Sequence, residues 1–175
     1  MDFEKMKADL KAAREKKEML YQTDQLRYRD RRNEIDEIKQ QFRTFFKTVH
    51  SFSVPTTPKD MDPIIARYES LQVTLKENKE RNEQEKGYKV YFTLTTPDEM
   101  VHTIFADAKP FRRFAKVKPE DDEMPDEAVS ESEITDDNVN YHRDLRYGKI
   151  IYKYKYMIEG DKRVFESLRE LIEGI

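Results

Sequence analysis

The stretch that most constrains the fold is IDEIKQQFRTFFKTVHSF, residues 35–52. An apolar side chain recurs at every third or fourth position, which is the spacing that lines one face of a helix. The longer segment 2–52 contains neither glycine nor proline, so we predict that it forms one continuous helix. Its apolar positions within this stretch are Ile35, Ile38, Phe42, Phe45, Val49 and Phe52.

A second apolar stripe lies nearer the amino terminus of the same predicted helix. It follows a heptad pattern with Lys17 as a polar gap, and it is out of phase with the first stripe, which indicates a stutter. An amphipathic helix is marginal until its apolar face is buried. We therefore predict a coiled-coil-like arm that joins a protein partner, as a homo- or hetero-oligomer. The predicted oligomer interface consists of Phe3, Met6, Leu10 and Leu20, with Ala13 in the same stripe.

The segment after residue 52 carries three prolines, Pro55, Pro58 and Pro63, which end the first helix. Asp62 and Pro63 together are typical of a helix start, and Gly87 is typical of a helix end. The spacing of apolar residues between them predicts a second helix from 63 to about 86. We expect the two helices to form an antiparallel hairpin, so that residues 1–86 make one helical domain.

The carboxyl-terminal half, residues 87–175, is predicted to be a small α+β domain with the element order β-α-β-β-α. Strict alternation predicts a strand over 88–95. A capping-box pattern at Thr96 to Glu99 then predicts a helix that ends near Ala108. A short strand is expected after Phe111, and a final helix over 161–175. The predicted fold class is thus α+β, with a long amino-terminal helix and helical hairpin preceding this domain.

Residues 149–160, KIIYKYKYMIEG, alternate lysine with tyrosine and predict another strand. Side chains in a strand point alternately to its two faces, so the tyrosines and lysines lie on opposite faces. A platform for nucleic acid needs aromatic and cationic groups on the same face. We therefore interpret the tyrosines as packed inward and the lysines as solvated.

Composition places the chain among soluble intracellular proteins with a small core. Charged residues make up 39% and hydrophobic residues 37%, but ten Phe and ten Tyr argue against disorder. There is no cysteine, no apolar leader at the amino terminus and no run long enough to cross a membrane. The net charge of −3 means that any basic function must be local.

No pattern in the sequence predicts catalysis, a metal site or a cofactor. The histidines, His50, His102 and His142, are far apart in sequence and form no metal-binding spacing. Only four glycines occur, and no phosphate-binding loop can be built from them. We therefore expect a protein that is not an enzyme and that carries no cofactor.

Two basic patches and one acidic segment leave a second interpretation open. Residues 119–140 form an acidic loop, with ten Asp or Glu and no Lys or Arg between 120 and 137. This loop could mask the neighbouring basic patch or imitate a phosphate backbone. The candidate nucleic-acid contacts are Arg27, Arg29, Arg31 and Arg32 in one patch, and Lys109, Arg112, Arg113, Lys116 and Lys118 in the other.

The sequence therefore favours an interaction or scaffold protein, which assembles through its helical arm and docks a protein partner with its α+β domain. The alternative is an accessory or inhibitor protein that associates with nucleic acid, of the kind that phages or mobile elements encode. The basic patches would then contact the backbone.

Overall fold

The computed structural model describes residues 1–112 and 139–175, with the backbone alone at 110–112 and 139. Helix α1 runs over Phe3–Thr44 and continues as a π-helical turn over Phe45–Val49. Asp2 caps the start of α1, because its carboxylate accepts a hydrogen bond from the Lys5 amide at 3.0 Å. The predicted long helix is confirmed, and the coiled-coil pairing of its arm stays a prediction.

The rest of the described chain is mostly β-structure. The strands are β1 (Ile64–Tyr68), β2 (Leu71–Glu77), β3 (Val90–Thr95), β4 (Val101–Arg112), β5 (Ile150–Ile158) and β6 (Val164–Phe165). They form one six-stranded sheet in the order β1-β2-β3-β4-β5-β6. Three short helices accompany them, namely α2 (Lys79–Gln84), α3 (Val139–Arg146) and α4 (Leu168–Glu173). The predicted α+β class is therefore confirmed.

The predicted helical hairpin is wrong, because β1 and β2 occupy most of its second helix. Ile64 pairs with Leu75 and Tyr68 with Leu71, in an antiparallel hairpin that turns at Glu69 with a positive φ of 50°. Ile64, Ala66, Val73 and Leu75 are buried at period two, whereas a helix would place Ile64, Ile65, Tyr68, Leu71 and Leu75 on one face. Only α2, at the end of that segment, is helical.

The predicted helix over 97–108 is also wrong. The residues after Thr96 make a turn with Glu99 at a positive φ of 65°, and β4 follows. Its buried side chains, Ile104, Ala106 and Ala108, alternate as a strand requires. The strands predicted over 88–95 and 149–158 are confirmed as β3 and β5. The final helix is shorter than predicted, since α4 begins only after Ser167 caps it.

Contacts divide the chain into two compact units. One comprises residues 1–29 with 109–153, and the other comprises 30–108 with 154–175. The predicted division into 1–86 and 87–175 differs from this one, because β2 and β3 pair across residue 87.

The larger unit, residues 30–108 and 154–175, contains the main core. The second half of α1 buries its apolar stripe against β1 to β5 and α4. Phe42 is fully buried, and its ring lies 4.7 Å from that of Phe46. The π-helical turn shifts the face of the helix, so Phe46 is buried whereas the predicted stripe residue Val49 is 46% exposed.

The smaller unit has a modest core of its own. Tyr141, Leu145 and Ile150 are buried, and Leu26 and Tyr152 pack against them. This places α3 and the start of β5 against residues 19–27 of α1. None of the described helices is both long enough and apolar enough to cross a membrane.

Candidate interaction surface

The amino-terminal part of α1 is an unusually exposed helical segment. Every residue from 1 to 18 is exposed, although the segment is helical from Phe3 onward. Phe3 is 62% exposed, Met6 53% and Leu10 70%. These three side chains occupy one heptad stripe, which we call the arm seam together with Ala13 and Leu20. An apolar seam of this kind on a solvated helix is the geometry that helix partners bury.

The arm seam ends where α3 covers α1. Leu20 is half-buried, and Thr23 and Arg27 are buried at 1% and 3% exposure. His142 of α3 is fully buried, with its Nδ1 atom 2.9 Å from Thr23 Oγ1. The Thr23 hydroxyl donates to the Met19 carbonyl, so the His142 Nδ1–H donates to Thr23. Of the predicted interface residues, Phe3, Met6 and Leu10 are thus exposed and Leu20 lies at the boundary.

Burial lowers the pKa of His142, the nearby Arg27 guanidinium adds to the shift and Asp24 opposes it, so that the pKa falls to about 4. The imidazole is therefore neutral at physiological pH. Its Nε2 atom has no hydrogen-bond partner among the described residues. The imidazole is thus part of the packing between α3 and α1.

The first basic patch is not a surface cluster. Arg27 and Arg31 are only 3% and 8% exposed, and Arg31 donates to the Gly87 carbonyl at 2.6 Å. Arg32 contacts Glu77 at 3.0 Å, while Arg29 is exposed. Buried guanidiniums cannot reach a phosphate without leaving their present surroundings. Arg27 and Arg31 therefore do not belong to the exposed patch that the sequence suggested.

The second basic patch lies mostly outside the described residues. Lys109 is exposed at the end of the described side chains of β4, and Arg112 is described by its backbone alone. Arg113, Lys116 and Lys118 fall outside, as does residue range 119–138 of the predicted acidic loop. Their predicted role in contacting or imitating nucleic acid stays a prediction.

A second group of exposed apolar side chains lies at one end of the sheet. The register pairs Thr74 with Thr95 and Thr95 with Val101, so the β1–β2 turn and the β3–β4 turn lie at the same end. Leu71 lies on the face that carries Leu75, and Val101 lies on the opposite face, so the exposed apolar side chains occur on both faces of this end of the sheet. These sheet-end residues are Tyr68, Leu71, Met100 and Val101, with exposed fractions of 46, 46, 55 and 65%.

In the larger unit, the Glu34 side chain lies close to largely buried tyrosine side chains. Tyr156 donates a hydrogen bond to Glu34 Oε1 at 2.7 Å and accepts one from Gln41 at 3.2 Å. Desolvation raises the pKa of Glu34 to about 7, despite the opposing hydrogen bond from Tyr156. The same burial raises the pKa values of Tyr154 and Tyr156 above their ordinary range. Glu34 packs between helix and sheet, so its shifted pKa reflects burial.

A buried ion pair fixes the middle of α1 to β2. Lys39 and Glu77 are 3% and 4% exposed and lie 3.2 Å apart. Arg32 supplies a second cation, and the Glu77 amide donates to Asp62 at 2.7 Å. All these groups are mutually satisfied, so the cluster is structural.

A shallow polar groove of about 450 Å³ lies beside α1 and the loop at residues 59–60. Its charges are mixed, and no group of histidine or acidic side chains among residues 1–112 and 139–175 is arranged to hold a metal ion. The groove lining comprises Asn33, Asp36, Glu37, Gln40, Arg43, Lys59 and Asp60.

Sequence reasoning identified the arm seam but missed the sheet-end residues. The sequence pattern places Tyr68 and Leu71 in the predicted second helix, and Met100 and Val101 in the predicted helix that ends near Ala108. The sheet-end residues could have been identified only if these two segments had been predicted as strands, with a period of two residues. Comparisons with protein-family models, curated proteins and solved structures found no significant match to this chain.

Proposed function

We propose that this chain is a non-enzymatic interaction protein. The arm seam assembles it with another helix, and the α+β units dock a protein partner. The observation that carries the proposal is the exposure of Phe3, Met6 and Leu10 on a helical segment that is solvated from residue 1 to residue 18.

The lack of packing around the arm supports this proposal. Residues 3–18 extend α1 beyond the part that α3 covers, and most helical stability in proteins comes from packing of an amphipathic face. Each large apolar side chain that moves from water into a helix interface contributes roughly 1.5–3 kcal/mol. Burial of the arm seam against another helix would therefore be favourable, and its large apolar side chains would stabilise the interface.

The sheet-end residues support the docking part of the proposal. They belong to the unit that contains residues 30–108, whereas the arm seam belongs to the unit that contains residues 1–29. Assembly and docking therefore use different residues and can be disrupted separately.

The test is the size of the assembly that the chain forms in extracts of the cells that make it. A tagged wild-type chain should elute well above its own mass of 21.1 kDa. The variant Met6→Glu/Leu10→Glu should elute as a single chain, because two carboxylates would enter the seam. The matched control Ala8→Glu/Ala12→Glu adds the same charge to other faces of the arm and should behave as wild type. Wild-type elution as a single chain, or an assembly that survives the seam variant, contradicts the proposal.

A further inference from the structure

We propose that the occupant of the arm seam is a second copy of this chain, paired in parallel and in register along residues 3–20. This inference rests on the proposed function, since it names the partner of the surface described there. The charges that flank the seam favour this pairing.

The heptad assignment follows from the exposed stripe. Phe3, Leu10 and Lys17 occupy the first core position, a, of successive heptads, and Met6, Ala13 and Leu20 occupy the second, d. The positions that border such a seam are e and g. Position e holds Lys7 and Arg14, and position g holds Asp2, Asp9 and Lys16.

In a parallel pair, each g residue meets the e residue of the next heptad on the other helix. Asp9 then meets Arg14 of the partner subunit, and Asp2 meets Lys7 of the partner subunit. The two-fold axis repeats both contacts. Every charged g–e contact within residues 2–20 is therefore between opposite charges.

An antiparallel pair brings e against e and g against g instead. With Phe3 opposite Leu20 of the partner subunit, Lys7 meets Arg14 of the partner subunit, and these charges repel. Asp9 meets Lys16 of the partner subunit, and these attract. Attraction and repulsion then offset each other, so the flanking charges favour the parallel arrangement.

Lys17 determines both the affinity of the assembly and the number of chains in it. In the parallel pair the two Lys17 side chains share one core layer, which costs stability. A single charged residue at position a is a device that limits an assembly to two strands and fixes its register. We therefore expect a weak, reversible dimer.

The side chains that form these contacts are available on the free chain. Asp9 and Arg14 lie within the wholly exposed segment. Lys7 contacts Glu4 at 2.9 Å within its own helix, but an exposed pair of this kind is easily exchanged. Asp2 also caps the helix, so the Asp9–Arg14 contact is the stronger determinant.

Charge reversal distinguishes the two orientations. We would measure the dimer dissociation constant of the full chain by sedimentation equilibrium for wild type, Arg14→Asp and Asp9→Lys/Arg14→Asp. For the parallel dimer, Arg14→Asp should weaken dimerisation roughly tenfold, since two symmetric contacts become repulsive. The double variant should return close to wild type. Tighter association of Arg14→Asp would indicate the antiparallel dimer, because the new carboxylate would then meet Lys7.

Disulfide trapping tests the register directly, because the chain has no native cysteine. In the parallel dimer, Met6→Cys places two thiols in the same core layer, within reach of a disulfide. In the antiparallel dimer position 6 faces position 17, so the two thiols lie about 16 Å apart along the axis. Met6→Cys should therefore cross-link in a glutathione redox buffer, whereas the outward-facing control Ala8→Cys should not.

The outcomes separate this inference from the proposed function. A dimer in which Met6→Cys fails to cross-link overturns the parallel register. A purified chain that is monomeric over a wide concentration range overturns the second copy as the occupant. If the seam variant nevertheless loses its assembly in cell extracts, the proposed function stands with a different helix as partner.

Discussion

Glu34 shows how burial inside a fold raises the pKa of a carboxyl group. Its carboxyl accepts from Tyr156 and is held between α1 and β5, where the charged form is poorly solvated. The folded-state pKa of about 7 lies above the ordinary value of 4.5. The folded protein therefore binds more protons than the unfolded chain between these two values. Ionisation of Glu34 costs stability as the pH rises from 4.5 to 7.

Replacing Glu34 with Gln should remove this cost. We expect Glu34→Gln to be more stable than wild type at pH 8, by up to about 3 kcal/mol for a shift of this size. The difference should shrink to nearly zero below pH 4.5, where both forms are neutral. The measurement is chemical denaturation of both proteins over that pH range. A Glu34→Gln variant that is no more stable than wild type at pH 8 would show that the carboxylate is well solvated.

His142 should respond to pH in the opposite sense. Its folded-state pKa of about 4 lies below the ordinary value of 6.5, so the unfolded chain binds more protons between them. Stability should therefore fall as the pH drops from 6.5 to 4, by up to about 3 kcal/mol. His142→Gln should flatten the acid limb of the stability profile. An imidazole that titrates near 6.5 by NMR in the folded protein would contradict the burial of this group.

At the residue scale, the burial of apolar side chains was easier to predict from the sequence than the burial of charged ones. Ile35, Ile38 and Phe42 were expected inside the fold, and they are buried. Arg27 and Arg31 were expected in solvent, but both are buried. Runs of charged residues are usually solvated. Here the buried guanidinium groups are stabilised by hydrogen-bond partners that lie far away in sequence. Gly87, which accepts from Arg31, is one such partner.

At the element scale, one short segment can fit both a helical and a strand period through different subsets of its apolar residues. The set Ile64, Ile65, Tyr68, Leu71 and Leu75 fits one helical face, but alternation with Ala66 and Val73 fits two strands equally well. Short segments of this kind are ambiguous, whereas the long apolar stripe of α1 is not. Pairing of β2 with β3 stabilises the strand conformation of this segment. Such a pairing between distant residues cannot be predicted from a local sequence pattern.

The shifted face of the π-helical turn gives an element-scale prediction. Phe42→Ala should destabilise the protein by about 3–5 kcal/mol, because a fully buried ring would leave a cavity. Val49→Ala should change stability by less than about 0.5 kcal/mol, since this side chain is exposed. Urea denaturation of both variants measures the difference. Comparable losses would mean that the helical stripe continues inward through Val49, as the sequence suggested.

At the scale of the whole molecule, the long helical stripe and the alternating strand patterns predicted an α+β chain, which the structure confirms. The division into two units was not predictable, because each unit combines part of α1 with segments more than 75 residues away. Local patterns carry no information about such distant associations.

Assembly and docking should be separable in the intact chain. Leu71→Asp/Val101→Asp adds two charges at the sheet end and leaves the arm seam unchanged. We expect this variant to keep its self-association but to lose the protein that co-purifies with the wild type. Light scattering would measure the mass, and quantitative mass spectrometry would measure the co-purified protein. Retention of every co-purified protein would show that docking uses another surface.

The most direct test of the account is the hydrogen exchange of the backbone amides in residues 3–18, in the assembly isolated from the cells that make the chain. We expect these amides to be protected in the wild-type assembly, because a neighbouring helix covers the arm seam and stabilises its turns. They should exchange rapidly in Met6→Glu/Leu10→Glu, while the core strands stay protected. Exchange in the wild-type assembly as fast as in that variant would contradict the central claim that another helix buries this seam.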